Sequence, residues 1–203
     1  MTIPSLQKIT FVSCSVLQAE LVSLQRRHWH EAKLRFLCSM LHMHPERLGI
    51  QLSDAVAEEM EQGQRILLVY GDCSALATNL ETLPGVARTR GYNCCELLLG
   101  QDEYLRLEHA GAFFLIPEWA KRWREVFTIE LGLNKEIARD LMQDMHRTLI
   151  YLDTGLAPVP VDELRECEEY CGLSCVVRPV TLDHLQLAIQ EAIERLTAPG
   201  ASE

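Results

Sequence analysis

Short apolar runs alternate with amphipathic stretches along most of this 203-residue chain, and that alternation restricts the folds open to it. "KITFVSC", "LRFLCSML", "RILLVYG", "AFFLI", "LIYLDTG" and "LSCVVRPV" are rich in β-branched, aliphatic and aromatic residues, which is typical of strands. Between them apolar residues recur at helical spacing, for example at Leu17, Leu21 and Leu24. The alternation predicts an α/β fold, with a mostly parallel sheet and helices on both faces.

The length predicts a single Rossmann-like domain over residues 1–203. Two predicted helices in 118–148 lie side by side in the sequence and would form a small helical insertion, a lid or half-lobe within that domain. "SDAVAEEMEQG" predicts a helix capped by Ser53 or Asp54. "CCELLLGQDEYLRLEHAG" predicts helical structure that breaks near Gly100.

The charge and the apolar runs exclude several classes of partner. The formal net charge is -10, and no basic stripe offsets it, so we expect no binding to nucleic acid. No apolar run reaches the roughly 18 residues that span a bilayer, and the first one is too short for a signal peptide. We therefore expect a cytoplasmic protein with no membrane association, whose eight cysteines are reduced or metal-bound.

Thiols and a histidine follow several of the predicted strands. Cys14 follows the first strand, Cys73 follows the third, and Cys94 begins a helix. His42 and His44 follow the second strand, and the turn before a proline favours only one of them as a ligand. Right-handed crossovers bring such loops to one edge of a parallel sheet, where ligands bind. We therefore expect Cys14, Cys73 and Cys94 to converge, with His42 or His44 as the fourth ligand.

Two kinds of metal centre suit these four residues. Three sulfurs and one nitrogen suit zinc, and three or four sulfurs suit an iron–sulfur cluster; the sequence leaves the choice open. A helix N-terminus also lowers the pKa of a nearby thiol, which favours the thiolate that binds metal or attacks a substrate. The alternative for each thiol taken singly is core packing, since cysteine is among the most buried residue types.

The other cysteines are expected to be structural. Cys38 lies inside a predicted strand and is assigned to the core. Cys167, Cys171 and Cys175 form the run "CEEYCGLSC", which matches no known ligand spacing, so core packing is the better interpretation. Cys95 points away from Cys94 on a helix and is a reserve ligand only.

Two further residues are candidates for contact with a cofactor. Asp153 ends a predicted strand, where its carboxylate would orient a histidine such as His42 or a metal-bound water; an Asx-turn towards Gly155 is an equal alternative. Trp119 and Trp123 stand at i, i+4 and would form an aromatic wall against a planar ligand. A core stripe is the favoured interpretation of the tryptophan pair.

Several segments together resemble a known family: "LVYGDCSAL", "GYNCCELLLGQDEYLRL", "GAFFLIPEWAKRW" and "LDTG". The chain resembles a prokaryotic family of uncharacterised proteins, a domain of unknown function, whose members are often encoded beside corrinoid-dependent methyltransferases. The resemblance covers most of the chain. It departs from the family pattern at Ser15, at Asn93 and in "DCSAL", but every thiol is kept. The resemblance favours His42 over His44 as the fourth ligand. It also implies corrinoid or one-carbon biology, with a corrinoid protein or a methyltransferase as partner.

The leading hypothesis is therefore an accessory protein for corrinoid-linked methyl transfer, with a Cys-rich zinc or iron–sulfur site at the carboxyl edge of the sheet. One alternative is a transferase or reductase that uses a thiolate, with Cys94 as the nucleophile. Another is a metal-free protein that binds its partner through an acidic surface. We do not expect the chain itself to bind a corrinoid, since it has no "DxHxxG"-type motif.

Overall fold

The structure is a computed structural model that describes residues 8–72 and 79–198. The strands are β1 Ile9–Cys14, β2 Lys33–Leu37, β3 Arg65–Val69, β4 Val86–Arg88, β5 Ala112–Leu115, β6 Thr148–Asp153 and β7 Cys175–Pro179. The helices are α1 Gln18–His28, α2 Pro45–Glu61, α3 Cys94–Leu99, α4 Gln101–His109, α5 Pro117–Lys121, α6 Lys135–Met145, α7 Val161–Cys171 and α8 Asp183–Thr197. Short 3-10 helices cover Ser15–Leu17 and Ser39–Met43, and a π-helical turn covers Glu125–Glu130.

Every described strand pairs in parallel with its neighbours, so the predicted α/β fold with a parallel arrangement is confirmed. The strands lie in two sheets, one ordered β2-β1-β3-β4 and the other β5-β6-β7. The chain divides into two compact units. Unit 1 comprises Met1–Leu97 with Leu182–Glu203, and unit 2 comprises Leu98–Thr181. The single domain with a helical lid at 118–148 stays a prediction.

Helices cover both faces of the sheet in unit 1, as the burial of its central strands requires. All six residues of β1 are buried, including Thr10 and Phe11, whose side chains face opposite sides of the strand. The Thr10 hydroxyl donates a hydrogen bond to Glu59 of α2, whereas Phe11 packs edge-to-face against Trp29, which follows α1. Helices α1 and α2 therefore lie on opposite faces of β1.

A buried carboxylate joins α2 to this sheet. The side chain of Glu59 accepts hydrogen bonds from the Thr10 hydroxyl at 2.9 Å, from Lys33 Nζ at 2.9 Å and from Arg35 Nη1 at 3.2 Å. Burial alone would raise the pKa of Glu59, but the hydrogen bonds from Lys33, Thr10 and Arg35 and the charge of Lys33 hold it below its ordinary value. The folded state therefore favours the ionised carboxylate.

The contacts of the ionised Glu59 predict that the protein loses stability in acid. The pKa of Glu59 is lower in the folded state than in the unfolded state. Its contribution to the free energy of unfolding is therefore complete above the unfolded pKa of about 4.3, and it is lost as the pH falls through the folded pKa. We expect Glu59→Gln to lower the free energy of unfolding at neutral pH, and the gap to wild type to close below about pH 4. Urea unfolding across this pH range measures the gap.

Glu58→Gln is the matched control: Glu58 is an exposed partner of Arg35, so its replacement should cost little stability at any pH. A gap for Glu59→Gln that does not change with pH would contradict the assignment.

Aromatic side chains cover both faces of β5 in unit 2. Phe114 stacks on Tyr104 of α4 with the ring centres 5.3 Å apart, and on the other face Phe113 contacts Phe127 at 6.1 Å. Trp123 is buried and packs against Tyr170 of α7 at 5.1 Å. The interpretation of Trp123 as a core residue is therefore confirmed.

Three local predictions were wrong or incomplete. Strand β2 ends at Leu37, so Cys38 has left the sheet and is exposed, not part of the core. Helix α2 begins at Pro45, a residue well suited to a first helical position, and not at Ser53 or Asp54. Strand β4 has only three residues and was not predicted.

The break in the helix near Gly100 is confirmed, since Gly100 separates α3 from α4 with φ of 78°. Within the described ranges, no helix combines the length and the apolar character that crossing a membrane requires.

Candidate functional site

The strand order of unit 1 defines where a ligand would bind. Along the chain β2 follows β1 on one side, and β3 lies on the other side of β1. The order reverses between β1 and β3, and ligands of open α/β sheets bind at the carboxyl ends of the strands at such a switch point. Cys14 is the last residue of β1, and the turn Gly71-Asp72 follows β3 after Tyr70. The switch point therefore lies between a thiol and the turn that leads to Cys73.

Cys14 is buried and held in place from both sides. It is level with Leu37 of β2, and the preceding Ser13 hydroxyl donates to the carbonyl of Val69 in β3 at 3.1 Å. The next residue, Ser15, accepts a hydrogen bond from the amide of Ser39 at 2.9 Å. That contact joins the loop after β1 to the turn that carries His42.

The turn after β3 packs directly on the loop after β4. The Asp72 amide donates to the carbonyl of Gly91 at 2.8 Å. Gly71 lies so close to the backbone of Tyr92 and Asn93 that a Cβ atom would stand 2.6 Å from the Asn93 Cα. Only glycine permits this approach. The loop that leads to Cys73 and the loop that leads to Cys94 therefore adjoin each other, although Cys73 itself lies outside the described residues.

Cys94 is buried at the first position of α3, and local sequence explains why the helix begins there. The Asn93 side chain accepts from the amides of Cys95 at 3.0 Å and Glu96 at 3.1 Å, which is the geometry of a helix cap. Glu96 in turn accepts from the amide of Tyr92 at 2.7 Å. Helix α3 is only six residues long, so the dipole effect expected for the Cys94 thiol is correspondingly small.

His42 and His44, the two candidates for the fourth ligand, differ in burial. His42 lies in the 3-10 helix after β2 and is partly buried, and burial lowers its pKa. His44 is exposed immediately before α2. A neutral imidazole is the form that binds metal, so the lowered pKa of His42 favours the form that a metal site would need.

A buried arginine that the sequence reasoning missed holds the turn after β3. Arg88, at the end of β4, forms ion pairs with Asp72 at 2.8 Å and with Glu81 at 3.3 Å, and donates to the carbonyl of Tyr70 at 3.4 Å. Arg90 pairs with Glu81 at 2.6 Å. Arg88 therefore holds residues on both sides of the segment that contains Cys73. The only sequence signal is a charged residue in an otherwise apolar run, "GVAR", too short for a strand to be recognised.

Among residues 8–72 and 79–198, no group of three or more His, Cys, Asp and Glu side chains could hold a metal ion. Cys14, His42 and Cys94 are all described and do not form such a group by themselves, and the fourth predicted ligand, Cys73, lies outside the described residues. The four-residue metal site accordingly stays a prediction.

The two candidate cofactor contacts lie in unit 2. The Asp153 carboxylate accepts a hydrogen bond from the Gly155 amide at 2.9 Å, and Gly155 has φ of 68°. This is the Asx-turn that the sequence offered as the alternative role of Asp153. Trp119 is partly buried in α5. A role for either residue in binding a cofactor stays a prediction.

The thiols of α7 and β7 form a separate group in unit 2. Cys167 and Cys171 are fully buried with their sulfurs 3.9 Å apart, and Cys175 is partly exposed. The hydrogen bond with Cys171, followed by burial, raises the pKa of Cys167. Burial raises the pKa of Cys175 to about 11. Cys167 and Cys175 are therefore protonated at neutral pH, which suits packing better than metal binding.

Replacing Cys167, Cys171 and Cys175 together by alanine should lower the free energy of unfolding by about 2 kcal/mol, because two buried side chains leave cavities. The amount of metal bound per folded protein should be the same as in wild type. Urea unfolding and elemental analysis of the same preparations measure both quantities. Loss of metal in the triple variant would show that these cysteines, and not those of unit 1, form the metal site.

Comparison with known proteins agrees with the picture of an uncharacterised family. No curated protein and no solved structure matches the chain. The model of one protein family, described as "Protein of unknown function (DUF1638)", matches residues 36–189, well over half of the chain. That range includes His42, Cys73 and Cys94, and it begins after Cys14. The chain therefore belongs to the DUF1638 family of proteins of unknown function.

Proposed function

We propose that the protein is a cytoplasmic accessory protein that holds a zinc ion or an iron–sulfur cluster at the carboxyl edge of the sheet in unit 1. The ligands in this proposal are Cys14, Cys73, Cys94 and His42. The observation that carries it is the hydrogen bond from Asp72 to Gly91, 2.8 Å long, which joins the loops leading to two of the thiols beside the switch point.

The residue types and the burial of the proposed ligands suit either centre. Cys14 and Cys94 are buried, so a bound ion would be shielded from water. Burial lowers the pKa of His42, which favours the neutral imidazole that binds metal. Zinc held by thiolates lowers the pKa of a bound thiol or water, whereas a cluster carries electrons. The chain contributes the ligands, their orientation and the exclusion of water.

The biological setting follows from the resemblance to proteins encoded beside corrinoid-dependent methyltransferases. It supports a role in corrinoid or one-carbon methyl transfer, with a corrinoid protein or a methyltransferase as partner. In such a role Asp153 and Trp119 of unit 2 are the candidate contacts to a cofactor. The acidic net charge of -10 supports a protein partner, not nucleic acid.

Anaerobic purification followed by elemental analysis and visible spectroscopy tests the proposal. Iron with acid-labile sulfide and a brown colour would identify a cluster, and stoichiometric zinc in colourless protein would identify a thiolate site. Protein with neither metal, even after reconstitution with zinc or with iron and sulfide, would refute the proposal. It would leave the thiolate-dependent transferase or reductase, or the metal-free binding protein.

Single substitutions test the ligand set. Cys94→Ala and His42→Ala should each weaken metal binding about 10- to 100-fold, or change the spectrum of a cluster. The exposed residues nearby supply matched controls: Cys38→Ala and His44→Ala should bind metal as wild type does. Equal metal in the two histidine variants would remove histidine from the site and leave a thiol-only centre.

A further inference from the structure

Helix α6 in unit 2 carries an apolar row that the protein leaves uncovered. Ile137, Leu141 and Met145 follow each other at i, i+4 and i+8, so they share one face over about 12 Å. They are 52%, 42% and 62% exposed. The adjacent residues Ala138 and Met142 are buried. The apolar face of α6 is therefore wider than the part that packs against its own unit.

A row of carboxylates borders the exposed part of this face. Glu136, Asp140 and Asp144 precede the three apolar residues and repeat at the same spacing, and all three are exposed. In the part of the chain that the structure describes, none of them forms an ion pair or a side-chain hydrogen bond. Arg139 of the same helix donates to the carbonyl of Glu169 in α7 at 3.0 Å. The acidic row is thus left without a basic partner.

We propose that this surface binds an amphipathic helix of a partner protein that carries an apolar row and, along one side of it, basic residues. The surface, named here the α6 face, consists of Ile137, Leu141 and Met145 with Glu136, Asp140 and Asp144. Apolar anchors at helical spacing are how grooves and faces recognise a helix, and the carboxylate row selects the charge beside those anchors. This proposal does not rest on a metal site.

Charge makes an antiparallel second copy and an anionic membrane poorer fits. If two copies of α6 packed antiparallel through their apolar rows, both acidic rows would lie on the same side and repel each other. Helices that lie on anionic membranes carry lysine and arginine on the polar face, and the α6 face carries carboxylates there. A helix with basic residues beside its apolar row would pack against the apolar row of the α6 face and form ion pairs with its acidic row.

Two synthetic helical peptides serve as probes. Both carry leucine at i, i+4 and i+8; one has a lysine row beside it, and the other has glutamate at the same positions. We expect fluorescence anisotropy with the whole protein to show binding of the lysine peptide, with an affinity that falls as salt is added. The glutamate peptide should bind at least about tenfold more weakly, because like charges oppose each other.

Variants locate the binding to the α6 face. Leu141→Asp should weaken binding of the lysine peptide at least about tenfold, and Glu136→Gln with Asp140→Asn and Asp144→Asn should remove most of its salt dependence. Leu187→Asp, at a residue 54% exposed on α8, should bind as wild type does. Circular dichroism and thermal unfolding establish that each variant is folded, since the changed residues are exposed.

Each of the following results would overturn the proposal. They are equal binding of the two peptides, no binding of the lysine peptide at about 1 mM, full binding by Leu141→Asp, and self-association of wild type that Leu141→Asp abolishes. The last result would identify a second copy as the occupant. Binding to phosphatidylserine vesicles that Leu141→Asp abolishes would identify a membrane and would equally contradict it.

Discussion

Replacing Gly71 by alanine should lower the free energy of unfolding by about 3 kcal/mol, the upper end of what overpacking costs. A Cβ atom there would stand 2.6 Å from both Cα and N of Asn93 and 2.7 Å from the carbonyl carbon of Tyr92. These are backbone atoms, so no side chain can rotate away, and the two loops must separate. Urea unfolding measures the loss, and metal bound per folded protein should fall with it if Cys73 and Cys94 share a site.

Gly63→Ala is the matched control for the contact at Gly71. Gly63 has φ of 75° and nothing within 4 Å of an added Cβ, so alanine there costs only the strain of that conformation, about 1 kcal/mol. A cost for Gly71→Ala no greater than for Gly63→Ala would show that the two loops are not in contact in solution.

Replacing Arg88 by methionine should cost about 3 kcal/mol, because it removes a buried guanidinium that bonds the half-exposed Asp72, the partly buried Glu81 and a backbone carbonyl. The Arg88 side chain is 3% exposed and contacts Asp72, Glu81 and the carbonyl of Tyr70. Glu81 would keep its pair with Arg90 and the Tyr70 carbonyl its hydrogen bond from Thr89, so the cost lies in losing the contacts that Arg88 itself makes. Arg88→Lys should recover part of the loss at most, since an ammonium group cannot reach three acceptors as a guanidinium does. Urea unfolding at neutral pH measures all the variants.

Arg90→Met is the matched control, because it removes the same charge from an exposed position. Arg90 pairs with the same Glu81 but is 58% exposed, so its loss should cost less than about 1 kcal/mol. Equal costs for Arg88→Met and Arg90→Met would show that Arg88 is not the residue that holds the turn after β3.

Several local features could be read from the sequence because they depend on neighbouring residues. The apolar run of β1 and the helical spacing of Leu17, Leu21 and Leu24 in and before α1 predicted their structure correctly, and all three leucines are buried. Gly100 marked the end of α3 because glycine adopts positive φ without strain.

Other features escaped the sequence because distant residues decide them. Cys38 stands in an apolar run, yet β2 ends one residue earlier, where its pairing with β1 ends at Cys14. Helix α2 starts at Pro45, although Ser53 and Asp54 are of the residue types that most often cap a helix N-terminus. The burial of Arg88 could not be predicted from its neighbours in the sequence, because its three acceptors come from other segments.

The sequence by itself determined that the chain alternates strands with helices, and that thiols follow two of the strands, because periodicity and turn signals extend over only a few residues. Only the tertiary structure decided the strand order β2-β1-β3-β4, and with it the position of the switch point beside Cys14 and Gly71. Strand order depends on which backbones pair across long stretches of chain and on which helix faces they bury. Those choices are made by packing free energy summed over the whole fold, which no local pattern of residues contains.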